Sequence, residues 1–128
     1  MKSVYNVSAY KATISVINYA GFFKVCLNEI PEKLLFTNKA EAIAEANKKA
    51  ATISQMSNSD YCHYIITKYE DANWILCKFD FSALYSECQT MDDFVDFMFG
   101  LLDKNIITYA RFCEVMDNAS THYGESWR

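Results

Sequence analysis

Proline occurs once in this 128-residue chain, at Pro31, and glycine three times, at Gly21, Gly100 and Gly124. So few breakers leave no linker or low-complexity segment to divide the chain, and isolated glycines exclude a phosphate-cradling loop. Histidine is nearly absent too. His63 and His122 lie far apart, and the five cysteines (Cys26, Cys62, Cys77, Cys88 and Cys113) contain no C-x-x-C pair. An odd, scattered set argues against a disulfide framework and a zinc finger alike, and predicts reduced, mostly buried thiols of an intracellular protein. The EF-hand spacing is missing as well, so neither a metal nor a cofactor is implied. No apolar run approaches the roughly 20 residues that span a bilayer. "MKSVYNVSAYK" lacks an apolar core of signal-peptide length, so the expected protein is soluble, cytoplasmic and has no membrane partner.

What is present is apolar and aromatic. A chain with 52% hydrophobic residues fits a single compact domain over 1–128, with no internal repeat. At this length roughly two-thirds of the unfolded surface can be buried. Charge is uneven. Residues 1–55 hold seven lysines against four glutamates, a net of +3, and no arginine, whereas residues 56–128 hold twelve acidic against five basic groups, a net of −7. Such asymmetry bears on partners rather than on fold.

The pattern predicts an α+β protein made of two antiparallel β-hairpin or meander units, each followed by helix, and ending in a C-terminal helical hairpin. In 1–55, Ala12, Ile14 and Val16 alternate as a half-buried strand, Ala20-Gly21 reads as a turn, and Phe23, Val25 and Leu27 form the returning strand. "NEIPEK" then turns into a short strand at Leu34 to Phe36. A helix follows from Asn38, whose spacing to Glu41 is that of a capping box, with Thr37 as a competing cap. Its narrow stripe is Ile43, Ala46, Ala50 and Ile53, and Lys48 and Lys49 are expected to complement the dipole at its end.

In 56–128, "YCHYIIT" and "WILCKFD" read as a second hairpin, with Cys62 opposite Cys77, Tyr64 opposite Ile75 and Ile66 opposite Asn73. That register puts Cys62, Tyr64, Ile66, Ile75, Cys77 and Phe79 on one face. "FSALYSECQ" suits a short helix. Thr90 caps a helix whose buried face is Phe94, Phe97, Met98, Leu101 and Leu102, and Thr108 caps a last helix with Tyr109, Phe112, Cys113 and Met116 on one side. The two helices are expected to pair over the second sheet, leaving "STHYGESWR" frayed at its end.

Nothing in the sequence points to catalysis. Cys62 and His63, as strand neighbours, point to opposite faces and cannot form a dyad. Asp92-Asp93 lies in a helix's first turn, where the dipole favours the ionised form, the wrong direction for a general acid, and Glu70-Asp71 reads as a solvated hairpin tip.

The best functional clue is the flank Asp92, Val95, Asp96, Phe99 and Asp103. Two apolar residues sit there in an acidic frame, which Asp93, Glu114 and Asp117 extend. Two readings stay open. Val95 and Phe99 are either core, covered by residues 82–88 or by Tyr123 and Trp127 of the tail, or the anchor of a docking site whose carboxylates select a basic partner. A homodimer through this face is also conceivable, although it would set acids against acids.

Three resemblances bear on the reading. "FFKVCLNEIPEKLLFTNKAEAIAEANKKA" resembles the three-stranded sheet plus helix of integrase arm-binding and ethylene-response-type DNA-binding domains. That implies the alternative of a small nucleic-acid-binding regulatory module using the basic half, with Lys24, Lys33, Lys48 and Lys49 on one face. "FMFGLLDKNIITYARFCEVMD" is similar to a helix, turn, helix unit at the end of many bacterial and phage proteins. The small, acidic, tyrosine-rich profile looks like phage or mobile-element inhibitors, including anti-CRISPR and DNA-mimic proteins, whose carboxylates occupy a groove meant for nucleic acid. The expectation is therefore a non-enzymatic protein–protein interaction.

Overall fold

A computed structural model describes residues 3–9 and 11–127 of the chain. It is an α+β protein that divides into two compact units, Met1–Ser57 and Asn58–Arg128.

The first unit is a four-stranded antiparallel meander in the order β1 (Ser3–Ser8), β2 (Thr13–Tyr19), β3 (Phe22–Leu27) and β4 (Ile30–Pro31), followed by helix α1 (Lys39–Ser54). Ala20 and Gly21, at φ 53° and 88°, make the tight two-residue turn that a right-twisted hairpin favours. The next turn uses Asn28 and Glu29, also at positive φ. Its strain is offset because the Asn28 amide donates to the Thr13 carbonyl at 2.8 Å, and Asn28 Oδ1 accepts from the Thr13 amide at 2.9 Å.

Val7, Ile14 and Leu27 lie in register on one sheet face, as do Tyr5, Val16 and Val25. Tyr5 donates its hydroxyl to Asn47 Oδ1 at 2.7 Å, which identifies this face as the one under α1. Asn38 caps α1, accepting from the Ala40 amide at 2.7 Å. The buried stripe is Ala42, Ala46, Ala50 and Ile53, so Ala42 takes the place expected of Ile43, which is half-buried. Alanines leave little between helix and sheet and set a close approach.

Two expectations for this unit need correction. The segment Leu34 to Phe36 is not a strand. Phe36 makes an isolated bridge to Phe23, while Leu34 and Leu35 are exposed, and Pro31, which has no amide to donate, sits at the end of a two-residue β4. The last turn of α1 holds no basic residue, and Lys49 instead pairs with Glu32 at 3.1 Å.

The second unit corrects the largest expectation, because its described residues form helices where the second hairpin was placed. They comprise α2 (Asn58–Lys68), α3 (Ala72–Ile75), a 3-10 turn (Phe81–Ser86), α4 (Met91–Asp103) and α5 (Tyr109–Tyr123). Tyr61, Cys62 and Ile65 are buried together at i, i+1 and i+4, a helical face that a short apolar run also offers to a strand. Cys77, assigned to the core by the strand register, is exposed.

The start of α2 is capped from a distance. Glu87 accepts from the amides of Asn58 and Ser59 at 2.8 and 2.9 Å and from the Ser59 hydroxyl at 2.8 Å. Burial alone would raise the Glu87 pKa, but the hydrogen bonds from Ser59 and Asn58 together outweigh it and hold the carboxyl below its ordinary value.

The C-terminal helical hairpin is present as expected, with Thr90 and Thr108 as caps that accept from the amides of Asp93 and Arg111. On α4 the buried residues are Met91, Phe94, Met98 and Leu101, with Phe97 and Leu102 half-buried. On α5 they are Phe112, Val115, Met116 and Ala119. Phe94 meets Tyr85 and Tyr123 with ring centroids at 5.3 and 6.1 Å. The tail packs as far as Trp127, and Arg128, at the end expected to fray, lies outside the described residues. His122 stacks on Tyr85 at 4.1 Å, Tyr123 donates its hydroxyl to the Cys88 carbonyl, and Gly124, left-handed at φ 69°, ends α5.

Candidate docking surface

One flank of α4 carries the candidate surface. Residues 92, 95, 96, 99 and 103 fall on a single side of a helix with 3.6 residues per turn. Asp92, Asp93, Asp96 and Asp103 are exposed, and among the described residues none has a side-chain hydrogen bond or ion pair. Val95 is half-buried and Phe99 is 44% exposed. Neither residue is fully covered as the core reading expects. The Phe99 ring rests on the fully buried Phe112 of α5, with centroids 5.0 Å apart, and turns its other side to solvent.

Phe112 organises what lies next to it. Trp127 meets it edge-on at 5.5 Å, and Tyr109, 67% exposed although expected to be core, lies over it at 6.3 Å. The Trp127 indole N–H donates to Asp117 Oδ1 at 2.9 Å. Phe99, Phe112, Trp127 and Asp117 are thus linked by successive contacts. Glu114, by contrast, is held by Arg111 at 3.2 Å. Of the eight residues singled out by sequence, five share the α4 flank, Asp93 adjoins it, and Glu114 and Asp117 are engaged on α5. Sequence reasoning missed Tyr109 and placed Trp127 only as a cover. The available signal was Gly124, whose left-handed turn folds the tail back.

The carboxylates on α4 differ in how the helix tolerates them. Asp92 and Asp93 occupy the first turn, where the dipole stabilises a negative charge. Asp96 lies one turn on from Asp92, a like-charge pair that disfavours the helix by a few tenths of a kcal/mol. Asp103 is the last residue of α4, at the negative end of the dipole, and no basic residue lies in that turn. The helix therefore keeps two charges that its own stability opposes.

The other candidates gain little. Burial, helped by the Glu87 carboxylate, pushes the Cys62 thiol up to about 12, which keeps it protonated and a poor nucleophile. Its neighbour His63 is exposed on α2, and His122 is stacked on Tyr85. Asp71, expected at a hairpin tip, precedes α3. Among the described residues no group of three or more His, Cys, Asp or Glu side chains could hold a metal ion, and no helix is long and apolar enough to cross a membrane.

In the basic unit Lys24 does not share a face with Lys48 and Lys49. Lys24 pairs in register with Ile17, on the side of the sheet away from α1, whereas Lys48 and Lys49 are on α1 itself. Lys24 lies 4.6 Å from the Tyr19 ring centre, and Lys49 is paired with Glu32.

Comparison with known protein families, curated proteins and solved structures finds no match.

Proposed function

We propose that the protein is a non-catalytic binding protein that docks the α4 flank, with Phe99 as its aromatic anchor, onto a basic surface of a protein partner. The observation that carries this reading is the half-exposed Phe99 beside Asp96 and Asp103, two exposed carboxylates at positions that weaken their own helix. An aromatic anchor supplies burial, while surrounding acids speed the approach of a cationic partner and reject anionic ones. The narrower form of the proposal is a cytoplasmic inhibitor of the phage or mobile-element type, acting on a host complex that handles nucleic acid. Carboxylates without internal partners, on a unit of net charge −7, support it, since such a complex presents arginine and lysine where nucleic acid would lie.

The test is nuclease-treated capture from the source cell with three forms of the full chain: wild type, Phe99→Asp, and the double variant Asp96→Asn, Asp103→Asn. The expected result is one stoichiometric protein, bound less well as salt rises, lost with Phe99→Asp and weakened by the double variant. The double variant should also be slightly more stable than wild type, by a few tenths of a kcal/mol per site. A partner retained equally by all three forms, or nucleic acid recovered only when nuclease is omitted, would overturn the proposal. The second of these results would transfer the function to the basic unit.

A further inference from the structure

Gly100 is the residue of α4 for which the fold supplies no reason. Its φ is not left-handed, and a Cβ built on it would meet nothing within 4 Å. Glycine inside a helix is disfavoured against every residue but proline, so alanine at this position would strengthen α4 without a clash. The bare backbone at Gly100, half-buried within the chain, weakens the helix that carries it.

Its neighbours give that open space a chemical character. Residues three and four apart adjoin on a helix surface, so Asp96 and Asp103 each border both Phe99 and Gly100. Phe99 and Gly100 thus stand side by side between two exposed carboxylates, whose Cα atoms lie about 10 Å apart along the axis. The floor of this notch is backbone, one wall is a ring that is 44% exposed, and the ends are acids with no hydrogen bond or ion pair among the described residues. Met91–Asp103 contains four aspartates and no basic residue. Lys104, the C-cap, adjoins Gly100 from the following turn and leaves the Asp96 end the more attractive one for a cation.

We infer that the notch receives an arginine side chain of the docking partner. The stem lies across the Gly100 backbone, the guanidinium stacks on the open side of the Phe99 ring, and its fork donates to the Asp96 carboxylate. A lysine ammonium matches the charge but has neither the plane that stacks on a ring nor the fork that fits a carboxylate. A methyl group at position 100 would stand where the stem lies. One arginine accounts together for the glycine, the half-exposed ring and the carboxylate beside them. The inference names the partner group for the docking surface and rests on that reading.

An oligoarginine amide is the probe, and an oligolysine amide of equal length is the control. Each is titrated into the full chain while NMR follows the Gly100 amide and the Phe99 ring protons. The expected result is saturable oligoarginine binding that moves both signals and is about fivefold tighter than that of oligolysine. Gly100→Ala should raise the urea midpoint and yet remove the preference for arginine, a combination that a merely structural glycine would not give. Phe99→Leu should remove the preference as well, and Asp96→Asn should weaken oligoarginine more than Asp103→Asn does. Equal binding of the two peptides at Gly100, a preference that survives Gly100→Ala, or the reverse order of the two aspartates would overturn the inference and leave the docking surface standing. Failure of both peptides to move either signal would overturn the inference together with the reading it rests on.

Discussion

Glu87 offers a sharp test of how the helical unit is held. Its carboxylate satisfies the Asn58 and Ser59 amides at the start of α2 from 29 and 28 residues away in sequence. Losing a local cap costs about 1 kcal/mol, within a range of about 0.5–2. A charge beside a helix N-terminus adds about 0.3–1 kcal/mol. Glu87 is solvent-exposed, so water takes over part of what is lost, and the expected destabilisation for Glu87→Ala is about 1–2 kcal/mol. Glu87→Gln keeps an acceptor oxygen but no charge and should fall between wild type and alanine.

The dependence on pH follows from the direction of the Glu87 shift. Its folded-state pKa lies below the ordinary carboxyl value, so the unfolded chain binds the proton more readily. The contribution is fully present above the unfolded-state pKa and disappears as pH falls through the lower, folded-state value. Urea unfolding at neutral and acid pH, with hydrogen exchange of the α2 amides, measures both effects. In acid the protonated Glu87 keeps an acceptor oxygen but no charge, so wild type should converge on Glu87→Gln, while its margin over Glu87→Ala should narrow without closing. Equal stability of wild type and Glu87→Ala at neutral pH, with unchanged exchange in α2, would refute the capping role.

Two further outcomes are expected. Phe94→Ala removes a fully buried ring between Tyr85 and Tyr123 and should destabilise the protein by about 3–5 kcal/mol in urea unfolding, against about 1–2 kcal/mol for the half-exposed Phe99→Asp; equal losses would contradict the burial assigned to them. In native protein at neutral pH, iodoacetamide should label exposed Cys77 and leave Cys62 unmodified until denaturant is added; peptide mapping that finds Cys62 labelled as fast as Cys77 would refute its burial and raised pKa.

The first unit was legible because its strands alternate. Ala12, Ile14 and Val16 are buried as a period of two requires, and Ala20-Gly21 turns where a breaker pair stands. Helices α4 and α5 were legible from their threonine caps and apolar spacing. The segment 61–79 misled for a physical reason. Its β-branched and aromatic residues favour strands, and twelve of its nineteen positions are apolar in short runs, so a period of two and a helical face both fit. A contact that sequence distance hides supports the helix: Glu87 accepts from the amides at the α2 N-terminus. The docking flank was visible as a set of residues, but the degree of exposure of Phe99 was not, because it depends on where the Phe112 ring lies.

Of the twelve carboxylates of the second unit, four with a structural use contrast with the four on the α4 flank. Glu87 holds α2, Asp80 caps the 3-10 turn, Glu114 pairs with Arg111, and Asp117 accepts from Trp127. Each of these has a structural use within the unit. Asp92, Asp93, Asp96 and Asp103 have no such partner, yet all four stand on one helix beside its half-exposed phenylalanine. Acids needed only for solubility could be spread over any helix and would favour first turns, where the dipole rewards them. Asp92 and Asp93 satisfy that condition; Asp96 and Asp103 do not. Asp96 and Asp103 therefore stand where the helix's own stability gives no reason for a carboxylate, which is the ground for proposing that they serve a contact from outside.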